Sequence, residues 1–240
     1  MLSRVHPAPV EVIDIDSDGS RDLLLEWYRP PRPAWLRINL VTSVSGSAVG
    51  TDGTSNTLTS ATDRRILGVI RELSDVVLVG AQSVRIEGYQ LPRRARLAIV
   101  TGSGNFAGHR FSAEDAAHIT ILCPPEAADV VRVELPGAEV LVVEADAGRL
   151  APASIVSALR TAGHTSIVCE GGPSLASSLV AAGLVDELCL TTSPILSDSS
   201  PAAFSASGVG EHQLELDQLL VDNASYLFAR WVVRAPQSTR

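Results

Sequence analysis

Residues 166–175 have the sequence Ser-Ile-Val-Cys-Glu-Gly-Gly-Pro-Ser-Leu. An apolar run comes first, a carboxylate and two glycines follow, and proline then opens a helical pattern that continues to about Gly183. A short apolar run bounded by glycine is typical of a buried strand, and proline is favoured in the first turn of a helix. The segment therefore predicts a strand, a tight turn and a helix.

The turn of this unit has the features of a ligand site. Glu170, Gly171 and Gly172 fall at the carboxyl end of the strand, where ligands bind in open α/β sheets. Backbone N–H groups at the start of the following helix favour an anion such as a phosphate. The alternative is a plain turn, in which the glycines only let the chain bend. The carboxylate favours a ligand site, because the turn itself needs no charge.

The composition is that of an α/β domain with a sizeable core. Of the 240 residues, 45% are hydrophobic and only 4% are aromatic, so Val, Leu, Ile and Ala must build that core. The formal net charge of −8 argues against a nucleic-acid partner, which needs a positive protein surface. There is no signal peptide or membrane-spanning run and the cysteines are scattered, so we expect a cytoplasmic protein.

The order of the elements predicts a mixed, mostly parallel sheet with helices on both faces. Strands are expected over 35–42, 75–80, 97–101, 119–122, 139–143, 166–170 and 184–192, followed by antiparallel strands over 213–220 and 225–233. Helices are expected over 60–73, 152–162 and 174–183, with a loop over 84–89. Residues 1–33 show no clear period and end in a proline-rich run, so we expect an N-terminal tether before one domain over 34–240.

A long polar loop and a helix start follow the first of these strands. The loop covers residues 43–59, and loops longer than ~12–15 residues are usually functional or disordered. Ser60 and Asp63 then match a capping box. Asp63 is therefore either a capping residue favoured by the helix dipole or a functional carboxylate at a strand edge.

Glycines mark further strand ends that could meet one ligand. They lie at Gly80, in the turn over residues 101–104 and at Gly171 and Gly172. Together with the polar loop, these ends predict a groove for an extended, phosphate-rich nucleotide and a second ligand under the loop. The five histidines are isolated, so no metal site is expected. Neither a P-loop nor the Gly-rich dinucleotide motif is present.

The order of several motifs resembles the riboflavin-pathway pyrimidine reductase family, over about residues 35–233. That family is the reductase half of a bifunctional deaminase-reductase and is related in fold to dihydrofolate reductase. The motifs are Asn39 with Ser43-Val44-Ser45-Gly46, Ser60 with Asp63-Arg64, Asp75-Val76-Val77-Leu78-Val79-Gly80 with Ser83-Val84-Arg85, Val100-Thr101 with Ser103-Gly104, Glu170-Gly171-Gly172-Pro173, and Gly183-Leu184-Val185-Asp186-Glu187-Leu188.

The resemblance implies a dihydrofolate-reductase-like homodimer that uses NADPH to reduce a pyrimidine ribosylamine 5′-phosphate, ribosyl to ribityl. Hydride would pass from C4 of the nicotinamide to C1′ of the sugar. The implied cofactor residues are Thr59, Gly80, Ser83, Val84, Thr101, Ser103, Gly171, Gly172, Ser174 and Leu175. The implied substrate residues are Arg37, Asn39, Ser43, Arg64 and Arg65. Asp63 is the expected acid, with Glu170 as the second catalytic carboxylate.

Simpler interpretations stay open for several of these residues. Arg64 and Arg65 could be solvated helix residues, Glu170 a hydrogen-bond partner of its turn, and Asp186 and Glu187 turn and edge charges. The sequence has Ser45 where the family usually has aspartate, and Gly102 where a basic residue is common. A dihydrofolate- or pterin-type reductase and a catalytically silent NADPH-binding protein are therefore the alternatives.

Overall fold

A computed structural model describes residues 1–146, 149–198, 200–204 and 209–234 of the chain. The strands are β1 Leu2–His6, β2 Glu11–Ile13, β3 Trp35–Thr42, β4 Val76–Gly80, β5 Arg96–Val100, β6 Ile119–Cys123, β7 Glu139–Val142, β8 Ala145–Asp146, β9 Arg149–Leu150, β10 Ser166–Gly171, β11 Glu187–Thr192, β12 Leu214–Asp222 and β13 Leu227–Val233. The helices are α1 Ser20–Trp27, α2 Ala61–Glu72, α3 Ala81–Glu87, α4 Ala113–Ala116, α5 Ala128–Glu134, α6 Pro152–Thr161 and α7 Pro173–Ala181.

One large sheet carries the fold, in the order β2-β1-β12-β13-β11-β3-β10-β4-β5-β6-β7. The run from β11 to β7 is parallel, whereas β13, β12, β1 and β2 pair antiparallel beside it. The strands β8 and β9 form a separate small hairpin. The expected mixed, mostly parallel sheet is confirmed.

Helices cover both faces of the sheet, as the sequence predicts. On the first face, called the α2 face, the core includes Leu24 of α1, Ile70 of α2 and Val131 of α5. On the opposite α7 face it includes Leu159 of α6 and Leu179 of α7. The central strands are therefore buried on both sides, which explains their continuous apolar sequences. No helix in the described part of the chain is both long and apolar enough to cross a bilayer.

The N-terminal segment folds onto the sheet, which differs from the tether expected over residues 1–33. β1 pairs with β12, and β2 adds the edge strand. Leu2, Leu24 and Tyr28 are each no more than 1% exposed and join the core of the α2 face. The strands are too short to show a sequence period, so their pairing depends on distant residues.

The structure also differs from two local expectations. Residues 84–87, expected in a loop, belong to α3, which ends at Gly88 with φ of +60°. A glycine in the left-handed conformation is a common helix end. The strand expected from residue 184 begins only at Glu187, because Gly183 and Leu184 still close the end of α7 through hydrogen bonds to Val180 and Leu179.

Candidate active site

The carboxyl ends of the parallel strands form one continuous row. β10 lies between β3 and β4, so the turn after β10 has the end of β3 on one side and that of β4 on the other. Gly172 precedes α7 with φ of +26°, a backbone conformation that favours glycine. The sequence therefore brings the expected glycine turns to one edge of the sheet.

A hydrogen bond joins two of these strand ends. Ser83, in the first turn of α3, accepts a hydrogen bond from the backbone N–H of Gly172 over 3.1 Å. Gly80 immediately precedes α3, and Gly171 ends β10. Val84, by contrast, is 1% exposed and packs in the core, so the structure does not present this expected cofactor residue to a ligand.

The turn after β5 is held by its own hydroxyl groups. Thr101 Oγ1 accepts a hydrogen bond from the Gly104 N–H over 3.0 Å, and Ser103 Oγ accepts one from Asn105. A Cβ at Gly104 would lie 3.1 Å from the carbonyl oxygen of Ala127, so the turn packs tightly there. Thr101 is buried and Ser103 is exposed, so Ser103 is the hydroxyl residue available to a ligand.

Ser174 and Leu175 lie in the first turn of α7, beyond the glycine turn. Ser174 is exposed and Leu175 is half-buried. The first N–H groups of a helix have no partner within the helix, so this end can receive an anion. The expectation that Ser174 and Leu175 meet the phosphate groups of a cofactor stays a prediction.

Asp63 is a buried carboxyl group at the same edge. It is 7% exposed, and Thr59 Oγ1 donates a hydrogen bond to its Oδ2 over 2.5 Å. Ser60 caps α2 by accepting the Asp63 N–H over 3.1 Å. The side chain of Asp63 turns instead to Thr59 and to Thr191, near the end of β11. The capping box is therefore only half formed, and the carboxyl group faces the sheet edge.

The surroundings of Asp63 favour its protonated form. Burial raises the pKa of the Asp63 carboxyl above its usual range. Hydrogen bonds from Thr191 and Thr59 and the charge of Arg64 lower that pKa, but burial outweighs them. A carboxyl group whose pKa is raised by burial is better suited to donate a proton than an exposed one.

Asn39 lies on the same face of the sheet as these groups. It pairs with Cys189 on β11, two residues before Thr191, and side chains alternate along a strand. Asn39 is half-buried. Asn39 and Thr191 therefore lie on the α2 face of the sheet, and the side chain of Asp63 contacts Thr191 there.

Glu170 is engaged within the protein. Arg71 donates two hydrogen bonds to its carboxylate, from Nε to Oε1 over 2.8 Å and from Nη2 to Oε2 over 2.6 Å. The Tyr89 hydroxyl also donates to Oε2. The Glu170 side chain is only 5% exposed. This arrangement corresponds to the structural alternative, because Arg71 and Tyr89 engage both carboxylate oxygens of Glu170.

The loop after β3 and the loop after β11 are tied together beside this edge. Ser43 Oγ accepts a hydrogen bond from the Ser47 N–H and contacts Ser45 Oγ at 2.9 Å. Ser45 in turn donates to the carbonyl oxygen of Ser197 and accepts from its N–H. A cavity of about 450 Å³ lies between the loops, lined by Leu58 and seven other residues. The Ser43 hydroxyl therefore stabilises the loop after β3 through hydrogen bonds within that loop.

The basic substrate candidates separate in the structure. Arg64 is exposed, and no described carboxylate lies within ion-pair distance of it. Arg65 points to the N-terminal segment, where it binds the carbonyl oxygen of Ile15 and pairs with Asp16 at 2.5 Å. The expectation that Arg65 binds substrate is corrected, because the N-terminal segment already occupies its guanidinium.

The expectation that Arg37 binds substrate is also corrected, because Arg37 lies near the beginning of β3 and not at its carboxyl end. Its guanidinium pairs with Glu187 at 3.2 Å and donates to the Tyr28 carbonyl oxygen. Glu187 is 0% exposed and also binds Arg230 and Trp35. It is thus the centre of a buried ion network, and the expectation of an edge charge is wrong.

Sequence reasoning missed Arg71, Tyr89 and Thr191 as neighbours of the candidate carboxylates. Arg71 is 99 residues from Glu170, and Tyr89 is 81 residues from it. Thr191 lies two residues after Cys189, so both side chains point to the same face of β11. This alternation could have placed Thr191 beside Asn39. The other two contacts depend on how α2 and α3 pack.

Solved structures share this fold. A pyrimidine reductase-like protein from Corynebacterium diphtheriae has a TM-score of 0.71 and 25% sequence identity, over 84% of this chain and 92% of that chain. The riboflavin biosynthesis reductase Rib7 from Saccharomyces cerevisiae has a TM-score of 0.68 and 12% identity, over 90% of this chain and 100% of that chain. No curated protein sequence matches the chain.

A longer protein with the same fold is the diaminohydroxyphosphoribosylaminopyrimidine deaminase/5-amino-6-(5-phosphoribosylamino)uracil reductase from Thermotoga maritima. Its TM-score is 0.68 at 17% identity, and the match covers 84% of this chain but only 57% of that chain. At this identity the likeness shows the fold. This chain therefore corresponds to one part of the longer protein.

The sequence model of the RibD C-terminal domain matches residues 34–228. The matched range includes Asp63, the glycine turns and the strands of the parallel region, whereas the N-terminal strands and α1 lie outside it. The resemblance drawn from the motifs is thereby confirmed. The chain belongs to the RibD C-terminal domain family.

Proposed function

We propose that this chain is an NADPH-dependent reductase that converts the ribosyl group of a pyrimidine ribosylamine 5′-phosphate into a ribityl group. Membership of the RibD C-terminal domain family supports this, as do the names of the pyrimidine reductase-like protein and the riboflavin biosynthesis reductase that share its fold. The observation that carries the proposal is Asp63, a buried carboxylic acid at the edge where the glycine-bearing strand ends lie.

The residues at this edge fit a nucleotide cofactor. Gly171 and Gly172 leave the backbone bare before α7, whose first N–H groups suit a pyrophosphate. Gly80 and Ser83 flank this turn and would meet the nicotinamide side. Ser103 would lie towards the adenosine ribose and its 2′-phosphate. The hydroxyls of Thr59 and Thr101 are used inside the protein, so these residues shape the groove.

NADPH, when bound, supplies a hydride from C4 of its nicotinamide. The substrate accepts this hydride at C1′ of the opened sugar, and the attached nitrogen then needs a proton. Asp63 is the proposed donor of this proton, because burial raises the pKa of its carboxyl group and so favours the protonated form. Thr59 and Thr191 fix the direction of the carboxyl group and stabilise the carboxylate that remains after proton transfer. General acid catalysis of this kind typically contributes ~10²–10⁴-fold.

Arg64 is the residue proposed to hold the substrate phosphate. It follows Asp63 in α2 and is exposed beside it. Arginine can bind a phosphate through two parallel hydrogen bonds. Its neighbour Arg65 already pairs with Asp16. A substitution of Arg65 can therefore serve as the control for the same substitution of Arg64.

The test is a turnover assay of the purified protein with NADPH or NADH and the amino and oxo forms of the pyrimidine ribosylamine phosphate. A ribityl product, identified by mass spectrometry, is expected with NADPH. Binding titrations followed by tryptophan fluorescence should show the same preference for NADPH. Reduction of dihydrofolate instead of the pyrimidines would overturn the substrate assignment.

Ser45 supports a second candidate, a protein that binds NADPH without turnover. Its hydroxyl is used to tie the loop after β3 to Ser197, so this position supplies no carboxylate to a substrate. NADPH binding without reduction of either pyrimidine or of dihydrofolate would favour this candidate. Failure to bind NADPH and NADH would overturn both.

A further inference from the structure

The turn after β5 offers a hydroxyl group to the adenosine ribose but carries no cation of its own. Ser103 is exposed there, and residues 101–109 include neither arginine nor lysine. The 2′-phosphate on this ribose is the chemical difference between NADPH and NADH. A protein with a formal net charge of −8 needs a local cation to hold such an anion. The chain contains no lysine, so an arginine from another element has to supply it.

Arg85 brings a cation to this turn from the neighbouring strand end. It lies in α3, which begins directly after β4, and β4 is the strand beside β5. Long side chains of a helix lean towards its N-terminus, so Arg85 leans towards the carboxyl edge of the sheet. Its Nη1 donates a hydrogen bond to the backbone carbonyl oxygen of Asn105 over 2.7 Å. Asn105 is two residues after Ser103, so the guanidinium lies against the turn.

Most of the hydrogen-bonding capacity of Arg85 is left for a ligand. A guanidinium carries several N–H donors, and Asn105 uses one of them. Arg85 is exposed, and no carboxylate of the described ranges lies within ion-pair distance of it. Glu87 accepts a hydrogen bond from Ser55, in the loop after β3, over 3.0 Å. Residues two apart on a helix do not face each other, so Glu87 does not neutralise Arg85.

The segment that carries Asn105 is anchored on the fold. The next residue, Phe106, is 0% exposed and belongs to the core of the α2 face. Further along the same segment, Arg110 Cζ lies 3.6 Å from the position of a Cβ at Gly88, which ends α3. The segment therefore packs along α3, and this packing holds Arg85 near the turn.

Given the proposed function, on which this inference rests, we propose that Arg85 binds the 2′-phosphate of NADPH and determines the preference for NADPH over NADH. Arginine can bind a phosphate through two parallel hydrogen bonds. The Ser103 hydroxyl donates a further hydrogen bond to the same phosphate. NADH lacks this group, so Arg85 contributes nothing to its binding.

Isothermal titration calorimetry of the full chain with NADPH and with NADH tests the assignment. Arg85→Gln should weaken NADPH binding about 10-fold or more, the effect of losing one charge-assisted hydrogen bond. NADH binding should stay unchanged. Arg93→Gln is the matched control, because it removes an exposed arginine before the amino end of β5, and it should bind both nucleotides like the wild type. Equal weakening of NADPH and NADH binding in Arg85→Gln would show a structural role and contradict the assignment.

A fragment pair separates the phosphate contact from the nicotinamide side. Adenosine 2′,5′-bisphosphate is the probe, and AMP, which lacks the 2′-phosphate, is its control. The wild type should bind the bisphosphate about 10-fold more tightly than AMP, and Arg85→Gln should bind the two alike. If Arg85→Gln keeps the preference of the wild type for NADPH and for the bisphosphate, the role of Arg85 is overturned and the reductase proposal stands. A wild type that binds neither NADPH nor NADH would overturn both proposals.

Discussion

Thr59 Oγ1 donates a hydrogen bond to Asp63 Oδ2 over 2.5 Å, across the first turn of α2. An aspartate at this helix position commonly bonds back to the N-cap backbone. Here the contact with Thr59, together with that of Thr191, directs the carboxyl group to the strand edge. Ser60 alone caps the helix. The relationship explains how a residue with a structural sequence pattern becomes available for proton transfer.

Asp63→Asn should lower kcat by ~10²-fold or more, because the amide cannot donate the proton that general acid catalysis supplies. The affinity for NADPH should stay nearly unchanged, since the strand-end glycines and α7 are intact. Steady-state kinetics and a fluorescence titration measure the two effects. Unchanged turnover would remove Asp63 from the mechanism.

Thr191→Val should move the pH dependence of kcat. The reaction needs protonated Asp63, so kcat falls as the pH rises through the pKa of this group. The hydrogen bond from Thr191 lowers that pKa, and its loss should shift the falling limb to higher pH. Thr192→Val, on the neighbouring position of β11, should leave the limb in place. A limb that stays or moves to lower pH in Thr191→Val contradicts the assignment.

Arg64→Gln and Arg65→Gln form a matched pair on α2. Loss of Arg64 should raise KM for the phosphorylated substrate about 10-fold, equivalent to one charge-assisted hydrogen bond of ~1.4 kcal/mol. Loss of Arg65 should leave KM unchanged, because its guanidinium binds Asp16 and the Ile15 carbonyl oxygen. Equal KM values for the two variants would exclude Arg64 as the phosphate contact.

Glu170→Gln should lower the free energy of unfolding by about 3 kcal/mol, since it leaves Arg71 without its buried counter-charge. Chemical denaturation measures the change. Asp129→Asn removes an exposed ion pair with Arg132 and should cost less than about 1 kcal/mol. A Glu170→Gln variant with wild-type stability but lost turnover would instead assign Glu170 to catalysis.

Glu187 should make stability depend on pH in the acid range. Burial raises its pKa, but Arg37 and Arg230 outweigh this and hold the pKa at about 2, below the ordinary value of 4.5. A lowered pKa stabilises the fold above the unfolded-state value, and this contribution is lost as the pH falls from about 4.5 through 2. Denaturation curves across this range should show a loss of about 3 kcal/mol from this group.

Glu187→Gln should lack this part of the pH dependence and be less stable at neutral pH. Glu215→Gln removes an exposed ion pair with Arg234, so its pH dependence should match that of the wild type. The same acid-range loss in Glu187→Gln and in the wild type would contradict the network's role.

The parallel strands and their glycine ends could be predicted from sequence because the signals are local. The apolar run before Glu170 and the proline after Gly172 specify a strand and a helix within ten positions. The end of α3 also has a local signal, Gly88, with φ of +60°. The loop expected over 84–89 is wrong, because residues 84–87 are helical and Gly88 ends that helix in the left-handed conformation.

The partners of the charged residues depend on contacts between distant segments. Arg37 and Glu187 are 150 residues apart in sequence, and adjacent strands bring them together. Arg65 reaches Asp16, 49 residues earlier, only because the N-terminal segment folds over α2. Residue type indicated charge at these positions, but only the fold determines which charges face a ligand.

The most direct measurement uses NADPH that carries deuterium at both positions on C4 of its nicotinamide. The purified protein would be incubated with this cofactor and the pyrimidine ribosylamine phosphate, and the product analysed by NMR and mass spectrometry. Deuterium at C1′ of a ribityl product is the expected result. A protein that binds NADPH but transfers no deuterium to C1′ would contradict the proposed reductase activity.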